Sequence, residues 1–151
     1  MSGSVTALVD RGTLTTDHFS AAQADALTRD QTRHLHVKTC HFNFVIGDTP
    51  TTKEVIIHVA QGAGVVRRYA VGLNDTGTST SVAFELKKNG TTILSAAKTI
   101  AHTDTDKTSY AATISISTYV AGDIFSALET VSSSTGATGP FAVATFDELS
   151  P

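Results

Sequence analysis

The stretch FELKKNGTTIL, residues 84–94, places an Asn-Gly pair between two runs that have the composition of β-strands. This is the strongest short-range hairpin signal in a sequence, because both central residues of a tight two-residue turn need a positive φ. A loop of two residues, Asn89 and Gly90, also fixes the strand register, which places Leu86 opposite Ile93. The sequence therefore predicts an antiparallel hairpin with this apolar pair on its core face.

From residue 34 onward, runs of strand length alternate with turn signals rich in Gly, Asn, Asp and Thr. The chain contains 25 Thr and 14 Ser, and threonine favours strands because its branched Cβ fits a pleated surface. Strands at this spacing are typical of an all-β sandwich or barrel. The eight predicted strands lie at 34–46, 54–60, 65–73, 80–88, 91–97, 109–117, 123–132 and 140–147.

Eight antiparallel strands in two sheets predict a jelly-roll-like β-sandwich. An immunoglobulin-type sandwich is the alternative, although the chain has no Trp and a single Cys, whereas antibody domains use a buried Trp and a disulfide. No long helical pattern separates the strands, which argues against parallel βαβ architecture.

Residues 1–33 differ from the rest of the chain. The segment TDHFSAAQADALTRD, residues 16–30, has the one helical pattern, with apolar residues near one face. We therefore predict two parts, an N-terminal arm with a short helix at 1–33 and a sandwich domain at 34–151. A partly ordered tail is one interpretation of the arm, and a segment that orders against a partner subunit is the other.

The first predicted strand changes its apolar parity along its length. Leu35 and Val37 have one parity, whereas Phe42 and Phe44 have the other. Because a slip of one residue moves every side chain to the opposite face, we predict a β-bulge or break within residues 38–41. Three further alternating runs predict core faces in later strands: Val55, Ile57 and Val59; Tyr69, Val71 and Leu73; and Ile114 and Ile116.

The charge and composition exclude several classes of protein. The formal net charge is −3, and the Lys and Arg residues are scattered rather than grouped in a basic patch, which argues against nucleic-acid binding. The single cysteine, Cys40, excludes an internal disulfide and a cysteine-based zinc cluster. No apolar run approaches the roughly 18 residues of a membrane span, and the N-terminus lacks the pattern of a secretory signal. We expect a soluble protein that is not exported and contacts no membrane.

Two groups of residues have side chains of the kind that bind metal ions. His34 and His36 lie two apart in a predicted strand and share a face, so a third ligand, for instance His41 after the predicted bulge, would let them hold zinc or nickel. No carboxylate lies near them, which favours an exposed or interface-lining pair. Asp104 and Asp106 could offer oxygen to calcium, which needs six to eight such ligands, but turn-forming aspartates explain the pattern more simply. We predict no metal and no cofactor.

The chain carries no recognised catalytic motif. There is no G-x-S-x-G elbow, P-loop, H-E-x-x-H pair or dinucleotide fingerprint. Cys40 and His41 do not form a dyad, because neighbours in a strand face opposite sides. We predict that the protein is not an enzyme, and a small enzyme assembled from distant loops stays the less favoured alternative.

The run VAFELKKNGTTILSAAKTI at 82–100, followed by YVAGDIFSALETVSSSTG at 119–136, resembles the jelly-roll proteins of tailed-phage particles. In that family a strand of the form V-x-x-x-L-x-K-N-G-x-x-x-L precedes a Thr/Ser-rich crossover, and an A-G-D turn begins a long strand near the C-terminus. The resemblance covers about residues 80–147. It extends to capsid decoration proteins, head fibres and receptor-binding tips, and these functions share fold-level features.

Within this family the resemblance implies a capsid decoration protein, because the chain combines one small domain with an N-terminal arm and has no glycine-repeat shaft. It implies a homotrimer on the virion surface that binds the major capsid protein and is made in the host cytoplasm. We expect the arm to supply the docking residues, which are Val5, Leu8, Leu14, Phe19, Ala24 and Leu27. The alternative is a glycan- or receptor-binding module of a fibre or tail, which would use the polar loops 74–80, 102–108 and 132–140.

Overall fold

The computed structural model describes residues 35–42 and 45–149, and within them the chain is entirely β. There are ten strands in these residues: β1 Leu35–Phe42, β2 Lys53–Val59, β3 Gly64–Asp75, β4 Ser79–Lys88, β5 Thr91–Thr92, β6 Lys98–Ala101, β7 Tyr110–Ala111, β8 Thr118–Tyr119, β9 Ile124–Thr135 and β10 Thr138–Leu149. No helix in this part of the chain is long and apolar enough to cross a membrane. The predicted N-terminal arm and its helix lie outside the described residues.

The strands form two antiparallel five-stranded sheets. Sheet A has the order β1-β10-β3-β7, with β8 also pairing with β3, and sheet B has the order β2-β9-β4-β5, with β6 also pairing with β4. The two sheets pack face to face, because a single core of buried residues draws on both. Its largest fully buried aromatic side chains are Tyr69 and Phe146 from sheet A and Phe84 and Phe125 from sheet B. The predicted all-β fold with antiparallel sheets is confirmed, and the core shared by both sheets fits the predicted sandwich.

The hairpin at Asn89 and Gly90 forms as predicted. These two residues have φ values of 51° and 80°, the positive values that a tight two-residue turn requires. The Ile93 N–H donates to the Leu86 carbonyl over 3.0 Å, and both of these side chains are buried. The alternating run of Tyr69, Val71 and Leu73 is also fully buried, which confirms that predicted core face.

The number of strands is ten rather than eight, because β6 and β8 lie just beyond two predicted strands that themselves pair over only part of their length. The predicted strand 91–97 ends after Thr92, and residues 95–97 are exposed before β6 begins. The predicted strand 109–117 pairs only at Tyr110–Ala111 and through a bridge between Ile114 and Leu94.

The predicted bulge in β1 is wrong. β1 pairs with β10 in an unbroken register from Leu35 opposite Leu149 to Phe42 opposite Ala142. Val37 is 65% exposed on the outward face, and the opposite parity, which includes Lys38 and the buried Phe42, faces the core. Lys38 occupies an inward position of this edge strand. Because a lysine is normally expected on the outward face, the sequence pattern assigned the wrong parity to the core face.

The predicted core face of β2 is also largely wrong, because the register shifts between Ile56 and His58. Val55 and Val59 are exposed, whereas Ile57 packs partly against the core. The inward position is taken by His58, whose ring centre lies 4.7 Å from that of Phe146 and 6.0 Å from that of Phe125. The prediction that Ile114 and Ile116 share a core face is correct for Ile114 alone, because Ile114 packs on the core and Ile116 is exposed.

Candidate functional site

Three loops meet at one end of the sandwich. The backbone N–H of Thr76 donates to the Asp106 carboxylate over 2.8 Å, and the Thr76 hydroxyl lies 2.8 Å from the same oxygen. The N–H of Thr78 donates to the carbonyl of Thr135 over 3.0 Å. The predicted polar loops 74–80, 102–108 and 132–140 are therefore brought together.

The aspartates of this loop end bond the chain itself. Asp104 accepts the Ala101 N–H over 2.8 Å, and Asp75 accepts the Gly77 N–H over 2.8 Å. Hydrogen bonds from the backbone and then the hydroxyl of Thr76 hold the pKa of Asp106 below its usual value. The turn-forming interpretation of Asp104 and Asp106 fits these bonds. Within the described residues, no group of three or more His, Cys, Asp or Glu side chains is placed to hold a metal ion.

A buried ionic cluster lies on the other side of the fold, between the edge strands β1 and β2. Glu148 lies on β10 and is 1% exposed. One of its carboxylate oxygens accepts a hydrogen bond from the Lys38 ammonium over 2.5 Å, and the other lies 2.7 Å from Nε2 of His58. Burial opposes ionisation of Glu148, but the hydrogen bonds from Lys38 and His58 outweigh it and hold its pKa below the ordinary value. Because His58 belongs to sheet B and Glu148 to sheet A, this contact joins the two sheets.

A second buried carboxylate, Glu129 on β9, lies on the inner face of sheet B. Its side chain is fully buried, and neither of its carboxylate oxygens has a hydrogen-bond partner in the described part of the protein. The nearest cation is Lys53, 3.8 Å away, whose ammonium also lies 5.5 Å from the centre of the Phe42 ring. Burial raises the pKa of Glu129 to about 7, against the lowering effect of the Lys53 charge.

A shallow pocket of about 180 Å³ opens beside the start of β10. Its walls include Val45, Ile46, Phe141, Asn74 and Lys107. Its volume lies below the roughly 300–1,000 Å³ that is usual for sites that enclose small molecules.

The histidine and docking predictions concern parts of the chain that the structure describes incompletely or leaves out. His34 lies outside the described residues, and of His36 the structure describes the backbone in β1. The expected approach of His41 to these two needed the bulge that β1 lacks. The predicted docking residues Val5, Leu8, Leu14, Phe19, Ala24 and Leu27 all lie outside the described residues.

The two buried glutamates were not predicted, yet the sequence contains a signal for each. Glu129 has the same parity as the buried Phe125 and Ala127, and Glu148 the same parity as Ala144 and Phe146. A strict period of two along a strand places such residues on one face. Applying that period to charged as well as apolar residues would have located both carboxylates.

No protein-family model matches the chain, and no curated protein matches it in sequence. Among solved structures, the fold is similar to a chain of the cyanophage Pam1 capsid asymmetric unit, with a TM-score of 0.53 and 18% sequence identity. The match covers 80% of this chain and 87% of that chain. At this identity the similarity is one of fold.

Proposed function

We propose that the protein is a structural, non-enzymatic component of a phage particle that decorates the capsid shell and binds across subunits of the major capsid protein. The observation that carries this proposal is the similarity of fold to a chain of the cyanophage Pam1 capsid asymmetric unit over most of both chains. The Asn-Gly hairpin and the A-G-D turn, which carry the sequence resemblance to phage jelly-roll proteins, support it independently.

The strand order supports the jelly-roll form of the sandwich. If β5 and β6 count as one interrupted strand, and β7 and β8 as another, eight strands remain. The first strand then pairs with the last, and the second with the last but one. Two Greek keys wrapped in this way define a jelly roll.

The physical basis of decoration is stabilisation by mass action. A protein that binds the assembled shell and not the free subunits favours assembly by RT ln(1 + [L]/Kd), which is about 2.7 kcal/mol at a hundredfold excess over Kd. Many copies on one shell add their contributions. We propose that the copies act as homotrimers and that residues 1–33 reach over neighbouring subunits, with Val5, Leu8, Leu14, Phe19, Ala24 and Leu27 in contact with the shell.

The test is co-sedimentation with empty shells purified from the particle whose genome encodes the chain. We expect the full chain to pellet with the shells in a saturable manner and a variant that lacks residues 2–30 to stay in the supernatant. A full chain that does not bind would contradict the decoration role. A truncated variant that still binds would contradict the docking role of the arm and leave decoration in place.

The convergence of the loops 74–80, 102–108 and 132–140 is the one observation that favours a glycan- or receptor-binding module. Against it, Asp75, Asp104 and Asp106 already bond groups of the chain itself. A glycan array separates the two functions, because a decoration protein should select no sugar. Selective binding that is lost on changing these loops would establish the module instead.

A further inference from the structure

The Asn-Gly hairpin and the A-G-D turn, which are far apart in the sequence, contact each other in the fold. The side-chain amide of Asn89 donates to the Asp123 carboxylate over 2.6 Å. The side-chain carbonyl of Asn89 accepts the Ile124 N–H over 2.8 Å, and the Asn89 backbone N–H donates to the Ile124 carbonyl over 2.8 Å. These three hydrogen bonds, here called the Asn89 lock, fasten the tip of the hairpin to the start of β9.

The acceptor of this lock is itself held in place. The second carboxylate oxygen of Asp123 accepts the Val120 N–H over 2.9 Å, and the Asp123 carbonyl accepts the Ala60 N–H over 2.9 Å. Hydrogen bonds from Val120 and then from Asn89 hold the pKa of Asp123 below its usual value. The amide of Asn89 therefore bonds to a fixed, ionised carboxylate.

Asn89 is also followed by glycine, the neighbour that leaves an asparagine most open to spontaneous deamidation. The other two asparagines of the chain precede Phe44 and Asp75. In this reaction the backbone nitrogen of the next residue attacks the side-chain carbonyl carbon and loses its proton, and the side-chain nitrogen leaves as ammonia. Water then opens the five-membered imide to aspartate or isoaspartate. A side chain on the next residue hinders the attack, and glycine has none.

The attacking nitrogen of Gly90 is accessible, whereas the leaving nitrogen of Asn89 is bound. Both residues are exposed, and within the described residues no backbone hydrogen bond engages the Gly90 N–H. An added Cβ on Gly90 would have nothing within 4 Å, so the space beside it is open. The leaving nitrogen donates to Asp123, and its departure as ammonia breaks that bond. The reaction therefore requires the Asn89 lock to open.

We propose that Asn89 is a site of spontaneous deamidation and that the Asn89 lock keeps its rate low while the domain is folded. The reaction then proceeds through local opening of the hairpin tip. Its product carries a carboxylate at position 89, which has no hydrogen to donate and lies against the carboxylate of Asp123. Because like charges so close repel each other, the reaction releases the hairpin tip from β9 irreversibly. The inference does not depend on the decoration role.

The experiment follows isoaspartate at position 89 by peptide mapping while the full chain is incubated at mildly alkaline pH. We expect the folded wild type to react at least about tenfold more slowly than the same chain in guanidinium chloride, because a hydrogen bond to a charged group holds the amide. Asp123→Ala should remove most of this protection. Asp104→Ala is the matched control, because Asp104 also accepts a backbone N–H but lies at the loop end beside Thr76. It should keep the wild-type rate.

Circular dichroism establishes that each variant is folded. If Asp123→Ala does not fold, Asp123→Ser takes its place, because serine keeps a hydrogen-bonding oxygen for the turn and lacks the carboxylate that Asn89 contacts. A folded wild type that reacts as fast as the denatured chain would overturn the inference. So would a folded variant at position 123 with the wild-type rate, or a denatured chain that forms no isoaspartate at position 89.

The release of the hairpin tip is tested with Asn89→Asp, which corresponds to one of the two products. This variant should have a lower melting temperature than the wild type. Adding Asp123→Asn should recover most of the loss, because the amide and the carboxylate then exchange places. A double variant that is no more stable than Asn89→Asp would overturn the release of the tip.

Discussion

Two glutamates in the core of the sandwich have opposite electrostatic surroundings. Glu148 receives hydrogen bonds from Lys38 and His58, so its ionised form is compensated. Glu129 has only Lys53 at 3.8 Å and the backbone of Thr51 to favour its ionised form, and within the described residues no hydrogen bond of ordinary length reaches its carboxylate. A buried charge without adequate partners opposes folding. The chain therefore contains one stabilised and one costly carboxylate in the same core.

Glu129 should make the protein more stable as the pH falls from 8 to 5. Its pKa is about 7 in the folded protein and has its ordinary value near 4.5 in the unfolded chain, so folding takes up a proton between these values. The cost of the buried charge is fully present above pH 7 and absent below pH 4.5. Glu129→Gln should therefore raise the unfolding free energy at pH 8 by at most about 3 kcal/mol, and the melting temperature with it. At pH 5 the same substitution should change the stability little.

The control for this prediction is Glu85→Gln, because Glu85 lies on the opposite, outward face of sheet B. Thermal unfolding of both variants and the wild type is followed from pH 5 to pH 8. The difference between Glu129→Gln and wild type should grow with pH, whereas that of Glu85→Gln should stay flat. A Glu129→Gln variant that is less stable than wild type at pH 8 would show that the pair with Lys53 is net favourable.

At the scale of the strand, interior elements were predicted well and edge strands poorly. β4 carries regular apolar alternation and its buried face follows from it, and the predicted run of β3 at 69, 71 and 73 is buried although all of 69–73 is buried there. β1 and β2 are the edges of their sheets, where inward positions go to Lys38 and Lys53. Such side chains bury their aliphatic stems and keep the ammonium near water, and inward charges also discourage edge-to-edge association. Apolar periodicity cannot identify a core face that is built in this way.

The candidate site was predictable to the same degree. The loops 74–80, 102–108 and 132–140 were identified from their polar composition, whereas their meeting at one end of the fold was not predicted and follows from the strand order. The cluster of Lys38, His58 and Glu148 was not predicted either, because its members lie 20 and 90 residues apart and meet only once both sheets are folded.

The Asn-Gly hairpin allows a test of whether the positive φ of Gly90 contributes to stability. Gly90 has a φ of 80°, and an added Cβ would have nothing within 4 Å, so Gly90→Ala introduces backbone strain without a clash. We expect a loss of about 1–2 kcal/mol in the unfolding free energy. The free energy is measured by denaturant titration.

Gly47→Ala is the matched control, because a Cβ there also has nothing within 4 Å and Gly47 has no positive φ. That variant should be neutral or more stable by about 0.4–1 kcal/mol, through the lower entropy of the unfolded chain. Equal losses at both positions would mean that the positive φ at the turn is not what Gly90 provides.

At the scale of the whole molecule, the sandwich has a core of its own. The buried residues of this core come from both sheets, and in the sequence they range from Phe42 to Phe146. The strand that follows the arm, β1, is held by eight consecutive pairings with β10. The folding of the sandwich should therefore not depend on the preceding residues, even though we propose that they are needed for docking.

Removal of residues 2–30 should accordingly leave cooperative thermal unfolding intact, with a melting temperature within about 4 °C of the full chain, which corresponds to roughly 1 kcal/mol. Phe125→Ala in the full chain calibrates the assay, because truncating a fully buried aromatic costs about 3–5 kcal/mol. If the truncated chain loses as much stability as Phe125→Ala, then the arm is part of the folded body. In that case, failure of the truncated chain to bind the shell would report unfolding rather than the removal of docking residues. The unfolding measurement therefore decides how the co-sedimentation result is interpreted.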